Sequence, residues 1–198
     1  MDRNAWQSSR RERILAAAKT VFGCRGFDQA TIDDIVALAS VSKGSIYGHF
    51  HDKEDLFYRV VEKMVTDDVT SALSASGSLS SAIQRLDSIL DVFFKRVITA
   101  CECDNLIFEA WASAGRKRSG LSKLLISDHK RWHGVIKGIL DEGCERGEFN
   151  AGIDTEAAAS LIMATLSGTI VNSRFGQKNE LARLDKVRHG LLLAVSAW

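Results

Sequence analysis

Apolar residues at Ile14, Leu15, Ala18, Val21 and Phe22 recur at the spacing of one helix face, and Gly26 follows where such a helix would end. The pattern predicts a first helix over about residues 8–25. Next comes "TIDD", residues 31–34, in which the Thr31 hydroxyl can accept from a backbone N–H while Asp34 reaches back toward the cap. A second helix then carries Ile35, Val36 and Leu38 to about Ala39. Ser42 caps a third, with Val41 before the cap and Ile46 four positions after it, the spacing of a hydrophobic staple. This third helix is short, from Lys43 to about His49, and Ile46 and Phe50 form its core-facing side. Asp52 caps a fourth, whose apolar stripe is Leu56, Phe57, Val60, Val61 and Met64.

Beyond about residue 75 the periodicity lengthens. Turn-forming stretches at 74–81, 113–120, 146–154 and 174–180 divide the remainder into about five helices. Strand alternation never persists. The expected fold is all-α, with a three-helix helix-turn-helix domain over residues 1–52 and a larger helical domain over 53–198.

Composition agrees with this division. Of the 198 residues 45% are hydrophobic and 26% charged, ordinary for a globular protein, and proline is absent although average usage would supply roughly ten. Without proline the main breaker of helix interiors is missing. No apolar run approaches the ~20 residues of a membrane span, and the N-terminus has no apolar signal centre, so a cytoplasmic protein is expected. Cys24, Cys101, Cys103 and Cys144 are too scattered for a disulfide framework. The net charge of +1 is less informative than its distribution, because Arg3, Arg10, Arg11, Arg13, Lys19 and Arg25 face only Asp2 and Glu12 in the first 25 residues. Such a basic arm suits either nucleic acid or a solvated helix face.

Two short helices joined by "ASVS" match a helix-turn-helix, whose second helix enters the DNA major groove. That accounts for the small residues of "SVSKGSIYGHF", residues 40–50, although a permissive first helical turn would also tolerate Gly44 and Ser45, and a Tyr47/His49 pair also suits packing. Ser42 and the first-turn amides can meet a phosphate, Lys43 supplies charge, Gly44 lets the backbone come close, and Ser45 can bond a base edge or phosphate without bulk. Tyr47 and His49 offer polar groups to the sugar-phosphate backbone, and Lys53 adds a further cation.

At this point residues 14–57, "ILAAAKTVFGCRGFDQATIDDIVALASVSKGSIYGHFHDKEDLF", resemble the N-terminal domain of the tetracycline-repressor (TetR) family of transcriptional regulators. The resemblance implies that Thr31, Ser42, Lys43, Gly44, Ser45, Tyr47, His49 and Lys53 face DNA, with the basic arm as a further contact. It also implies a two-fold dimer that leaves a double-stranded DNA operator when a small-molecule effector binds the C-terminal domain. Two positions depart from the family pattern. Ser40 stands where glycine is common in the turn, and Gly48 presents no side chain where some members carry one.

For the effector site, the aromatic and sulfur-bearing candidates are Phe93, Phe94, Phe108, Trp111, Trp132 and Met163, with Asn105, Glu109, His129 and His133 as polar anchors. Each of them also suits an ordinary core. For dimerisation the expected seam lies on the last two helices, through Leu161, Leu166, Gly168, Leu184, Val187, Leu191, Val195 and Trp198, with Ala157, Ala158 and Ala164 allowing close approach. A stripe within one subunit has the same periodicity. His129 and His133 share a helix face at i, i+4, but with no third ligand no metal or other cofactor is expected. No nucleotide loop or nucleophile elbow suggests an enzyme. The rival reading is a DNA-binding regulator without an effector, controlled by a protein partner.

Overall fold

The computed structural model describes residues 3–99, 106–114, 119–172 and 180–196. Among them every named element is a helix: α1 (Arg3–Gln29), α2 (Ile32–Ala39), α3 (Lys43–Tyr47), α4 (Lys53–Ser76), α5 (Ala82–Thr99), α6 (Leu106–Ala114), α7 (Ser119–Glu145), α8 (Thr155–Asn172) and α9 (Glu180–Val195). The all-α expectation therefore stands. No helix among the described residues is long and apolar enough to cross a membrane. The division between α5 and α6 was not legible, because no glycine or turn cluster marks it. Cys101, Cys103 and Asn105 fall between those helices, outside the described residues, as does Trp198.

Two compact units divide the chain, one of residues 1–66 and 100–125, the other of 67–99 and 126–198. The first unit is thus larger than residues 1–52, since it also holds the start of α4, all of α6 and the start of α7. Its core joins Ile14, Phe22, Ile35, Ile46, Phe50, Phe57, Val61 and Leu106, all buried. Phe22, Phe27 and Phe57 form an aromatic trio with ring centroids 5.0 to 5.8 Å apart. Pairs at such separations contribute about 0.5–1.5 kcal/mol beyond area burial.

The helix ends of this unit follow the sequence closely. Gly26 interrupts α1 at φ 74°, a backbone that L side chains rarely adopt. Thr31 and Asp34 form the expected reciprocal capping box: Asp34 N–H donates to the Thr31 hydroxyl at 3.1 Å and Thr31 N–H donates to Asp34 Oδ2 at 3.0 Å. The Thr31 hydroxyl, then its amide, and the nearby Arg25 hold the Asp34 carboxyl below the usual range. Ser40 ends α2 in the left-handed region, at φ 52° and ψ 50°, and Val41 N–H closes back on Val36 O at 3.4 Å. Asp52 caps α4 by accepting from Asp55 N–H at 2.8 Å.

In the second unit, α5, α7, α8 and α9 share a core that includes Leu86, Leu90, Phe94, Trp132, Ile136, Leu140, Phe149, Ile162, Met163, Leu166 and Leu184. The chain reverses after α7 through Gly147, at φ 70°. Glu148 N–H returns to Gly143 O at 2.8 Å and Gly147 N–H to Cys144 O at 3.1 Å, the paired bonds of a Schellman C-cap. Phe149 then folds over Gly143 so closely that a Cβ on the glycine would lie 2.0 Å from the ring. The same turn holds two other helix ends. Glu148 Oε2 accepts from the Ser81 hydroxyl at 2.5 Å and from Ile83 N–H at 3.3 Å, at the start of α5. Asn150 N–H donates to Val195 O at 3.1 Å, at the end of α9.

Three outcomes are expected from this geometry. Gly143→Ala forces a methyl into the Phe149 ring and should cost at least the roughly 1–3 kcal/mol of an overpacked core, measured by urea denaturation. Ser40→Gly relieves a left-handed serine and should stabilise the fold by about 1 kcal/mol, visible as a higher midpoint with unchanged slope. The Ser81 hydroxyl and the Ile83 and Ala82 amides depress the Glu148 carboxyl below its ordinary range. Its contribution is therefore complete above the unfolded value and lost as pH falls through the folded one. The stability gap between wild type and Glu148→Gln should narrow on acidification, as pH-dependent melting would show.

Candidate nucleic-acid interface

The interface is built on α2, the turn 40–42 and α3. Ser42 caps α3, its hydroxyl accepting from Ser45 N–H at 3.2 Å and lying 3.1 Å from the Ser45 hydroxyl. Ile46 and Phe50 turn inward, 1% and 2% exposed, as the sequence predicted. Ser42, Lys43, Gly44 and Tyr47 lie on the outside, with Tyr47 half exposed although it is a large aromatic residue. Ser45 and His49 are partly covered, the His49 ring 6.2 Å from that of Phe50.

Gly44 has no role within the fold that requires glycine. It is not among the positive-φ glycines, and a Cβ there would meet only the Ser42 hydroxyl at 3.9 Å, an ordinary contact. The small size at this position serves no internal packing.

The cations divide into two groups. Lys43 is exposed and grips Asp33 of α2, with Nζ 3.0 Å from Oδ1 and 3.2 Å from Oδ2. That hydrogen bond and charge hold its ammonium protonated beyond the ordinary lysine range. Lys53, expected to meet a phosphate, has its main partners inside the unit. Its ammonium donates to Phe27 O and Ala30 O, both at 2.9 Å, and lies 4.4 Å from the centre of the Phe27 ring. At most one of its three N–H groups is left for DNA. Thr31 is likewise engaged as the cap of α2, with its hydroxyl 2.7 Å from Asp34 Oδ2.

Part of the basic arm is also engaged within the unit, although its side chains stay exposed. Arg13 donates to Ala39 O at 3.2 Å and Ser40 O at 3.3 Å, at the end of α2, and Arg25 pairs with Asp34 at 2.7 Å. Sequence reasoning missed these roles, since Arg13 and its acceptors stand 26 and 27 positions apart. Lys19 is exposed.

Beside the turn, His51 is exposed and bonds Asp52 at 3.0 Å. That bond and the Asp52 charge raise its pKa. The mutual pairing, after the Asp55 amide, lowers that of Asp52.

The effector candidates divide between the two units. Phe94, Trp132 and Met163 are buried in the second unit's core, and Phe93 packs edge-on against Trp132 at 4.7 Å. His129 is exposed, while His133 Nε2 lies 3.1 Å from the Ser160 hydroxyl and 3.7 Å from Glu156. Among the described residues no cluster of metal-binding side chains includes this pair. Phe108 and Trp111 belong to the first unit, their rings 6.4 Å apart. Glu109, from the same helix, instead approaches the break in α1, with Oε2 at 3.2 Å from where a Cβ of Gly26 would stand.

The residues expected to form the dimer seam differ in their surroundings within the chain. Leu184, Leu191 and Val195 are buried in the second unit's own core, and Leu166 with them, because the α9 stripe packs on α5 and α8. A partner would find almost none of their surface. Val187 is partly buried against the same core. Leu161, in contrast, is 61% exposed, and a Cβ on Gly168 would meet nothing within 4 Å.

Comparison with known proteins supplies the family. Residues 14–60 match the model of "Bacterial regulatory proteins, tetR family", and residues 82–188 match that of the "Tetracyclin repressor-like, C-terminal domain". The chain is 27% identical to the HTH-type transcriptional repressor BepR of Brucella suis, with 91% of this chain and 86% of the relative covered. It is 26% identical to the fatty acid metabolism regulator protein of Bacillus subtilis, with 80% of each covered. In fold it is similar to a TetR transcriptional regulator from Chloroflexus aurantiacus, with a TM-score of 0.82 at 22% identity over 98% of this chain and all of that one. It is also similar to a putative transcriptional regulator from Saccharomonospora viridis in complex with choline, with a TM-score of 0.85 at 19% identity over 96% of this chain and all of that one. BepR and both structural neighbours are named as regulators of transcription. The two matched models account for both the helix-turn-helix and the helices that follow it, and the chain belongs to the tetR family of bacterial regulatory proteins.

Proposed function

We propose that this chain represses transcription by binding a palindromic DNA operator as a two-fold dimer, and that a small-molecule effector held by its C-terminal domain releases it. The observation that carries the DNA part is Gly44. Glycine is a poorer helix former than alanine, and the fold has room for the methyl group, so nothing within the fold selects glycine here. An external surface that comes close to the backbone explains the glycine, and a DNA phosphate is such a surface. Lys43, Ser45 and Tyr47 on the same short helix are then the groups for phosphates and base edges, with Ser42 at its cap.

Dimerisation is assigned to the faces of α8 and α9 that point away from their own core. Leu161, Ala164 and Gly168 recur at i, i+3 and i+7, and Leu193 is 47% exposed on α9. Small residues let helices approach closely, and the leucines add apolar area. Two-fold pairing places the recognition helices about 34–36 Å apart, or at a multiple of this, on a palindrome. The buried aromatic and sulfur side chains of the second unit suit a mainly apolar effector. The named role of the Bacillus relative in fatty acid metabolism is compatible with that class. Release is assigned to α4, which contributes residues to both units, through a change in its tilt.

Fragmented DNA of the source genome, incubated with the protein at physiological salt and sequenced after washing, tests the DNA reading. A few palindromic sites should be enriched. On such a site Gly44→Ala should weaken binding on the order of 10-fold, about 1.4 kcal/mol, while leaving urea stability equal or higher. Unchanged affinity of this variant, or no sequence preference in the wild type, would defeat the proposal.

A further inference from the structure

We propose that Asp33 is a built-in competitor of DNA for Lys43: it holds the ammonium in the free protein and must yield it to a phosphate on binding, which lowers operator affinity and flattens its salt dependence. The inference rests on α2 and α3 being the DNA-binding elements.

The two acidic residues that open α2 differ in what they do. Asp34 completes the capping box with Thr31 and pairs with Arg25. Asp33 takes no part in that box, and both of its oxygens lie within 3.2 Å of the Lys43 ammonium. Its carboxylate is 72% exposed and the lysine side chain 54%, so solvent reaches both groups and the pair can open at small cost. The contact spans ten positions, joining the first turn of α2 to the first turn of α3. Those two turns are the parts of a helix-turn-helix that meet the DNA backbone and groove.

The consequence follows from charge accounting. A lysine that neutralises a phosphate releases a condensed cation from the DNA, and this release is what makes binding fall with salt. When Lys43 leaves Asp33, the abandoned carboxylate stands beside phosphates and takes up a cation of its own. One uptake offsets one release. Affinity is therefore held down at low salt, where electrostatic attraction to any DNA sequence is strongest. The N-terminal helix dipole gives Asp33 an ordinary stabilising role as well. That role predicts effects on folding alone, so the two can be separated.

The test measures fluorescence anisotropy of wild type, Asp33→Asn, Lys43→Ala and the double variant on one labelled duplex. That duplex is the sequence enriched by the wild type from a random library. Asp33→Asn should bind about 2- to 5-fold tighter for each Lys43 that engages DNA, near 50 mM salt. Its plot of log K against log salt should steepen by about 0.9 for each. Both gains should vanish in the Lys43→Ala background, and thermal stability should stay equal or fall slightly. Equal or weaker binding by Asp33→Asn overturns the proposal. So does an identical gain when Lys43 is absent, which would show general repulsion instead of competition. If Lys43→Ala weakens binding while Asp33→Asn changes nothing, only the Asp33 inference fails. If Lys43→Ala binds like wild type, the DNA assignment of α3 fails and takes this inference with it.

Discussion

A helix of five residues cannot hold itself in water, because nucleation costs more than so few hydrogen bonds return, and α3 has five residues. Its geometry is borrowed from its surroundings. Ser42 closes the first turn, Ile46 is sunk in the core, and Phe50 anchors the exit. The entry direction depends on Ser40, whose left-handed backbone turns the chain out of α2. Arg13 reaches from α1 to the carbonyls of Ala39 and Ser40, so the turn is tied to the helix beneath it. Lys53 does the same for the carbonyls of Phe27 and Ala30, at the break in α1. A helix leaves its last carbonyls unpaired, and a cation from elsewhere in the fold is a strong donor for them.

This requirement explains why charge counting along the N-terminal segment overstates what is available to a partner. Arg13, Arg25 and Lys53 have internal acceptors, whereas Lys43 stands outside with only an exposed carboxylate beside it. Arg13 and Lys53, bound to backbone carbonyls, help set the position of α3, and Lys43 on α3 acts outward from that position. Gly44 and Tyr47 belong with the outward set, since the fold neither needs the one nor covers the other. The second unit solves its helix-end problem with a different device. A single turn after α7 uses Gly147 to reverse, Glu148 to cap α5 and Asn150 to hold the end of α9. Phe149 fills the space that Gly143 leaves.

Local features were legible because their physics is local. The capping box of Thr31 and Asp34, the Ser42 cap and the break at Gly26 all depend on residues within a turn of each other. The helical class followed from 3.6-residue periodicity and the absence of proline. The boundary between α5 and α6 was not legible, since "ACECDN" contains neither glycine nor a cluster of turn residues. Glu148 as the cap of α5 was likewise hidden, because it stands 67 positions from Ser81.

The sequence by itself therefore determined the helical class, the break at Gly26, the caps of α2, α3 and α4, the helix-turn-helix and the family resemblance that its motifs carry. Only the tertiary structure decided which way each stripe and each cation faces. Leu184, Leu191 and Val195 have the same spacing whether they meet a partner or their own core, and the packing of α9 on α5 and α8 placed them inside. Lys43 and Lys53 are each a lysine in the first turn of a helix, yet one is exposed and the other is bound to carbonyls 23 and 26 positions away. Periodicity defines a face without naming what lies against it, and a long side chain's partner is set by distances in space that the linear order does not contain.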